Sequence, residues 1–216
     1  MEFCTQASPK VQSCRHMLPD SSLNAAYWEQ RYAASQTAWD TGAITPPLLD
    51  YFVQLGPPDA RRILIPGAGR AYEAEYLHTQ GWPHVVVVDV AAAPLADLHR
   101  RAPSFPEAHL LQQDFFALAP DTPYDLLVEQ TFFCALKPEL RPAYARQAAQ
   151  LLRPGGTLMG VLFDTTFSQP GPPFGGSREE YHEYFAPYFD FVHFETAANS
   201  LPPRSGRELF ICLRKK

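Results

Sequence analysis

The chain has 216 residues, 46% of them hydrophobic and 19% charged, with a formal net charge of −5. That length suits one domain with a single large core, and the share of apolar residues excludes a disordered chain. The acidic balance gives no electrostatic reason to expect nucleic acid or an anionic membrane as partner, and no apolar run approaches the roughly 20 residues that cross a bilayer.

Residues 1–21 lack periodicity and read as a flexible extension, without the continuous apolar stretch of a signal peptide. A cytoplasmic, monomeric protein is therefore expected, with one domain spanning 22–216. Leu23, Tyr27, Trp28 and Tyr32 recur at helical spacing, and a short break carrying Trp39 follows. Thr45 before Pro46-Pro47 predicts a capped helix with Leu48, Leu49, Phe52, Val53 and Leu55 on its buried face, stopped by Gly56-Pro57-Pro58. Next comes the stretch around which the chain is organised: apolar Ile63–Ile65, the turn Gly67-Ala68-Gly69, a helix over Tyr72–Thr79, and a second apolar run Val85–Val88 that ends in Asp89. Ala91–Arg101 reads as a helix, Leu110-Leu111 as a short strand before Asp114-Phe115-Phe116, and Tyr124–Glu129 as a strand before Phe132-Phe133-Cys134. Pro138–Leu152 predicts an amphipathic helix stopped by Arg153-Pro154-Gly155-Gly156, and Thr157–Phe163 a strand. An irregular stretch, Asp164–Gly176, precedes Ser177–Glu180, which fits a capping box for a helix to Phe185. Strands near Phe189–Glu195 and Glu208–Leu213 close the chain. Proline, at 22 residues about twice its roughly 5% norm, falls inside none of these seven strands. The alternation predicts an α/β three-layer sandwich on a mostly parallel sheet, with ligands outside the carboxyl ends of the strands.

Strand, glycine turn, helix, strand and terminal acid form the first half of a nucleotide-binding βαβ unit. Glycine lets the backbone approach a ligand, and the Asp89 carboxylate, 22 residues past Gly67, is placed to accept hydrogen bonds from ribose hydroxyls. A dinucleotide fingerprint needs a third glycine three residues after Gly69, where Tyr72 stands, and no Gly-Lys-Ser/Thr of a phosphate loop follows. A nucleoside cofactor without phosphate, S-adenosylmethionine, suits such a turn; the bland reading is glycines that only permit tight packing.

Other positions carry two readings each. Asp89 reads as ribose acceptor or as helix cap. Asp114 and Phe115 read as adenine contacts, or as a turn acid and a core ring. Trp28 and Trp39 offer indole faces to a sulfonium or pack the core. Arg141 is a planar fork for a carboxylate or a surface arginine. Phe132, Phe133, Phe174 and Cys134 suggest an apolar acceptor pocket, Cys134 as a wall rather than a nucleophile. Asp164 is the candidate base, with Gln169–Gly176 as a lid. Cys4, Cys14, Cys134 and Cys212 and the seven histidines show no metal-ligand spacing, so no metal is expected.

Taken in order, Trp28, Thr37-Ala38-Trp39-Asp40, Pro66-Gly67-Ala68-Gly69, Val88-Asp89, Phe132-Phe133-Cys134-Ala135-Leu136, Pro138-Glu139, Arg141-Pro142-Ala143-Tyr144 and Gly171-Pro172-Pro173-Phe174 resemble the thiopurine S-methyltransferase superfamily. The segment FFCALKPELRPAY is most similar to its thiol and halide methyltransferases. Gly67, where the thiopurine enzymes have leucine, and Asp89, where they have glutamate, lean the same way. The resemblance implies a class I methyltransferase fold of seven strands, the last antiparallel. It also implies S-adenosylmethionine as cofactor, held by Trp28, Trp39, Gly67, Asp89, Asp114, Phe115 and Arg141 beside Gly69. The implied reaction is methyl transfer to a small soft nucleophile, a thiol or sulfide. The rival readings are a thiopurine, halide or metalloid acceptor, and a non-catalytic nucleotide-binding module.

Overall fold

The structure is a computed structural model that describes residues 23–119 and 121–216. The expected extension, with Cys4 and Cys14, lies outside them. The helices are α1 (Ala25–Ala33), α2 (Pro46–Gln54), α3 (Tyr72–Thr79), α4 (Ala92–Arg101), α5 (Arg141–Leu151) and α6 (Arg178–Phe185). The strands are β1 (Arg62–Pro66), β2 (His84–Asp89), β3 (Leu110–Gln112), β4 (Tyr124–Gln130), β5 (Leu152–Phe163), β6 (Phe189–Thr196) and β7 (Glu208–Lys215).

The seven strands form one sheet in the order β3-β2-β1-β4-β5-β7-β6. β7 runs antiparallel to both of its neighbours, and the pairs among β1 to β5 are parallel. Side chains alternate between two cores, as the period of two in a strand requires. Ile63, Ile65, Val85 and Val87 face α2, α3 and α4 together with Leu48, Leu77 and Leu98. Leu64, Val86, Val88 and Leu127 face α5 and α6 together with Tyr144, Ala148 and Phe185. All four valines of β2 are buried, at about 1.5–3 kcal/mol of transfer free energy each. Their near-continuous apolar run is what a strand covered on both faces needs.

Proline enters the sheet in two places, contrary to expectation. Pro66 ends β1, and Pro154 lies in the irregular lead of β5, where the register with β4 shifts between Tyr124 and Leu126. Both are positions where a missing amide costs the ladder little. The helix expected from Pro138 opens as a 3₁₀ turn, Pro138–Leu140, before α5.

The strand order reverses direction between β1 and β4, so their connections leave on opposite faces and open a crevice at the carboxyl ends. Two polar contacts set its rim. Thr45 does not cap α2; its hydroxyl donates to Gln130 Oε1 at 3.2 Å, tying α2 to the end of β4. The N-cap of α4 is Ala91, which has no side chain to offer, and Glu29 of α1 accepts from the amides of Ala92 and Ala93 instead. α1 buries no residue of its own, and this borrowed cap fastens it over the crevice.

Candidate active site

The crevice is a cavity of about 910 Å³, walled by the loops that follow β1, β2, β3 and β4 and roofed by α1. The turn after β1 needs its glycines. Gly67 (φ +65°) and Gly69 (φ +55°) lie in the left-handed region, and a Cβ on Gly67 would come within 2.4 Å of the Phe132 ring. Ala71 takes the same strained region at φ +52° to start α3.

Asp89 ends β2 in the cavity wall. Its Oδ1 accepts from Ala91 N–H at 2.8 Å, so the capping reading and the cavity position hold together. Burial pushes its carboxyl up to about 6, opposed by the amides of Ala91, Ala68 and Val90 and reinforced by the nearby Glu29. Asp114 and Phe115 follow β3 into the same wall; Asp114 Oδ1 accepts from Phe116 N–H at 2.9 Å. Gln147 of α5 donates to the carbonyls of Phe115 and Leu118 at 3.1 and 2.9 Å, which sets that turn.

The roof is aromatic. Trp28 and Trp39 meet edge to face at 5.7 Å, and Tyr32 meets Trp39 at 5.6 Å. Arg204 holds the Trp39 loop by donating to its carbonyl at 3.0 Å, pairs with the buried Glu208 at 3.3 Å, and lies over the Phe163 ring at 5.5 Å. Asp40 latches the same loop to Arg70 and to the Tyr72 hydroxyl, both at 3.0 Å.

Cys134, Phe163, Phe167, Pro172 and Pro173 give the cavity an apolar wall, with Arg204 over the Phe163 ring. Burial and then the Glu129 carboxylate push the Cys134 thiol up to about 12, so it is a wall and not a nucleophile at neutral pH. Trp28, Trp39, Gly67, Gly69, Asp89, Asp114, Phe115 and Phe132 are thus brought together around one space.

Four expected residues are not. Arg141 is 1% exposed and points to the far side of α5, between the rings of Phe133 and Tyr181 at 5.0 and 5.5 Å. There its guanidinium donates to the Phe174 carbonyl at 3.1 Å and to Glu180 Oε1 at 3.3 Å. These acceptors lie in α6 and the loop before it, and they draw the side chain away from the cavity. Phe133 turns into the core against Tyr144 and Tyr181, because successive residues of its 3₁₀ turn face different sides. Phe174 lies beyond the wall that Pro172 and Pro173 supply, its amide donating to the Cys134 carbonyl at 2.7 Å. Asp164 is no base in the cavity: its Oδ1 accepts from Arg178 N–H at 3.1 Å, at the start of α6. With Glu180 given to Arg141, the expected capping box is only half made, by Ser177 Oγ accepting from Glu180 N–H.

Sequence reasoning gave Tyr32, Arg204, Gln147 and Glu129 no role in the site, although Tyr32 shares its helical spacing with Trp28, and Glu129 sits at a strand end. The buried Glu129 side chain accepts from Phe132 and Phe133 N–H and from the Tyr144 hydroxyl, and burial pushes its carboxyl up to about 7.

The family model described as Thiopurine S-methyltransferase matches residues 23–212. The chain belongs to that family. Among curated relatives of this family member, it is 31% identical to "Probable thiol methyltransferase 2" of Arabidopsis thaliana, over 87% of this chain and 84% of the relative. It is 30% identical to "Thiocyanate methyltransferase 1" of the same plant, over 84% and 81%. The fold matches that of the Burkholderia thailandensis 1,6-didemethyltoxoflavin-N1-methyltransferase solved with S-adenosylhomocysteine. That match has a TM-score of 0.73 at 19% identity, covering 98% of this chain and 93% of that one. This family member is a methyltransferase dependent on S-adenosylmethionine, with the class I architecture of a seven-stranded sheet carrying an antiparallel last strand. Among the described residues no helix is long and apolar enough to cross a membrane.

Proposed function

We propose that the cavity transfers a methyl group to a small thiol, taken up as its thiolate. The observation that carries this reading is one cavity lined both by an acid with a glycine turn and by apolar walls that include Phe163, Phe167, Pro172 and Pro173 beside Arg204. The residues fit the cofactor. Gly67 lets the turn pass the Phe132 ring and Gly69 leaves room beside Trp39, and Asp89 is held by backbone amides with acceptor capacity left for ribose hydroxyls. Asp114 and Phe115 would take the adenine, and Trp28 and Trp39 would face the sulfonium, an attraction of about 0.5–2 kcal/mol.

When bound, S-adenosylmethionine supplies an activated methyl group. The chain's residues do the rest. Phe132, Phe163, Pro172 and Pro173 keep water from competing as a nucleophile, and Arg204 favours an anionic acceptor over a neutral one. A thiol with a reference pKa of about 8.5 reaches the thiolate by releasing its proton to solvent, and the walls then orient its sulfur.

The buried free thiols Cys134 and Cys212 suit a reducing compartment, and a monomer in the cytoplasm is the setting this reading takes. The test is an acceptor panel followed by S-adenosylhomocysteine release. Turnover with aryl and alkyl thiols and bisulfide, faster than with chloride or phenols, is expected. Activity confined to oxygen nucleophiles overturns the reading. Size-exclusion chromatography with light scattering checks the monomer.

A further inference from the structure

Glu129 is fully buried at the end of β4, yet it does not line the cavity. A buried carboxyl group is tolerated when its oxygens are hydrogen-bonded, and both of these are. Oε1 accepts from Phe132 N–H at 2.9 Å and Phe133 N–H at 2.8 Å, and Oε2 from the Tyr144 hydroxyl at 2.7 Å. Bonding amides three and four residues ahead of itself forces the chain to curl. Thr131 sits at the bend with φ +60°, a conformation that a β-branched side chain resists.

The curl sets the acceptor half of the cavity and abuts the cofactor half. It lays the Phe132 ring against Gly67 and against Phe115, whose centroid is 5.4 Å away. It also presents the Cys134 carbonyl to Phe174 N–H at 2.7 Å, which fastens the segment carrying Pro172 and Pro173. The acceptor wall therefore hangs on one carboxylate, while the cofactor turn meets the curl only through the Phe132 ring.

We propose that Glu129 is a positioning residue for methyl transfer: with Tyr144 it holds the 131–136 turn in the strained shape that sets acceptor against cofactor. This rests on the thiol-transfer reading above.

The experiment measures kcat, KM for benzenethiol and calorimetric affinity for S-adenosylmethionine in wild type, Glu129→Leu, Glu129→Gln and Tyr144→Phe. Glu129→Leu orphans both amides, and kcat is expected to fall tenfold or more while cofactor affinity stays within threefold. Glu129→Gln keeps an oxygen for the amides and offers its NH₂ to the Tyr144 oxygen, so kcat is expected to return to within threefold of wild type. Tyr144→Phe, which leaves the Oε1 pair intact, is expected to lower kcat threefold or more with cofactor affinity unchanged, and it decides the matter if Glu129→Leu does not fold. The proposal is overturned if Glu129→Leu folds and keeps kcat within twofold, if Glu129→Gln is as damaged as Glu129→Leu, if cofactor affinity falls in step with rate, or if Tyr144→Phe matches wild type. A wild type that methylates no thiol in the panel removes the functional reading first, and this role with it; an active wild type with unaffected variants removes only this role.

Discussion

Asp89 gives the sharpest prediction, because its environment sets both a sign and a size. Its carboxyl titrates at about 6 in the folded protein, raised chiefly by burial. In the proposed binding mode a ribose hydroxyl would donate to the carboxylate, so the ionised form is the one expected to bind, and affinity should rise as pH rises through 6. At pH 5 about one-tenth of the molecules carry the charge and at pH 7 about nine-tenths. The dissociation constant for S-adenosylhomocysteine is therefore expected to tighten about tenfold over that interval, about 1.4 kcal/mol. The ligand is stable enough for calorimetry, and quenching of Trp28 and Trp39 in the cavity roof gives a second readout. Glu29, which faces Asp89 from α1, adds to the same upward shift, so ionic strength is held constant. Asp89→Asn is the control: it keeps the shape, removes the titration, and is expected to bind weakly at every pH. A dissociation constant that stays within twofold from pH 5 to 7.5, or a variant that keeps the wild-type pH dependence, refutes the assignment of Asp89 to the ribose.

Three further outcomes follow from the geometry. Gly67→Ala puts a Cβ into the Phe132 ring at a left-handed backbone position, and is expected to weaken cofactor binding tenfold or more in a protein whose circular dichroism is native; unchanged affinity would mean that the turn does not approach the ligand. Glu29→Ala removes the borrowed cap of α4, at a cost of about 1 kcal/mol. That is a drop in Tm of about 2–4 °C for a chain this size, and calorimetry should show cofactor affinity falling with it, because α1 roofs the cavity. Arg204→Met keeps the bulk and loses the charge, and is expected to raise KM for anionic thiolates at least fivefold more than KM for neutral acceptors, with some loss of cofactor affinity because Arg204 also holds the Trp39 carbonyl and pairs with Glu208; equal losses for charged and neutral acceptors would assign Arg204 to packing alone.

What the sequence by itself determined was the part governed by local periodicity. The helix over Tyr72–Thr79 and the valine strand ending in Asp89 were legible because their packing partners are set by spacing along the chain. The glycine turn over Gly67-Ala68-Gly69 was legible too, and the structure adds that both glycines take positive φ. Tertiary structure alone decided where polar side chains point. Arg141 stood in the right motif, yet two of its guanidinium nitrogens went to the Phe174 carbonyl and Glu180, 33 and 39 residues further along. Asp164 likewise found the Arg178 amide at the start of α6, and Arg204, in a loop with no period, came to line the cavity. Hydrophobic burial is non-directional and repeats along the chain, so sequence displays it. A hydrogen bond between distant segments is directional and chosen once, when the strands have already brought its partners within 3 Å or so of each other.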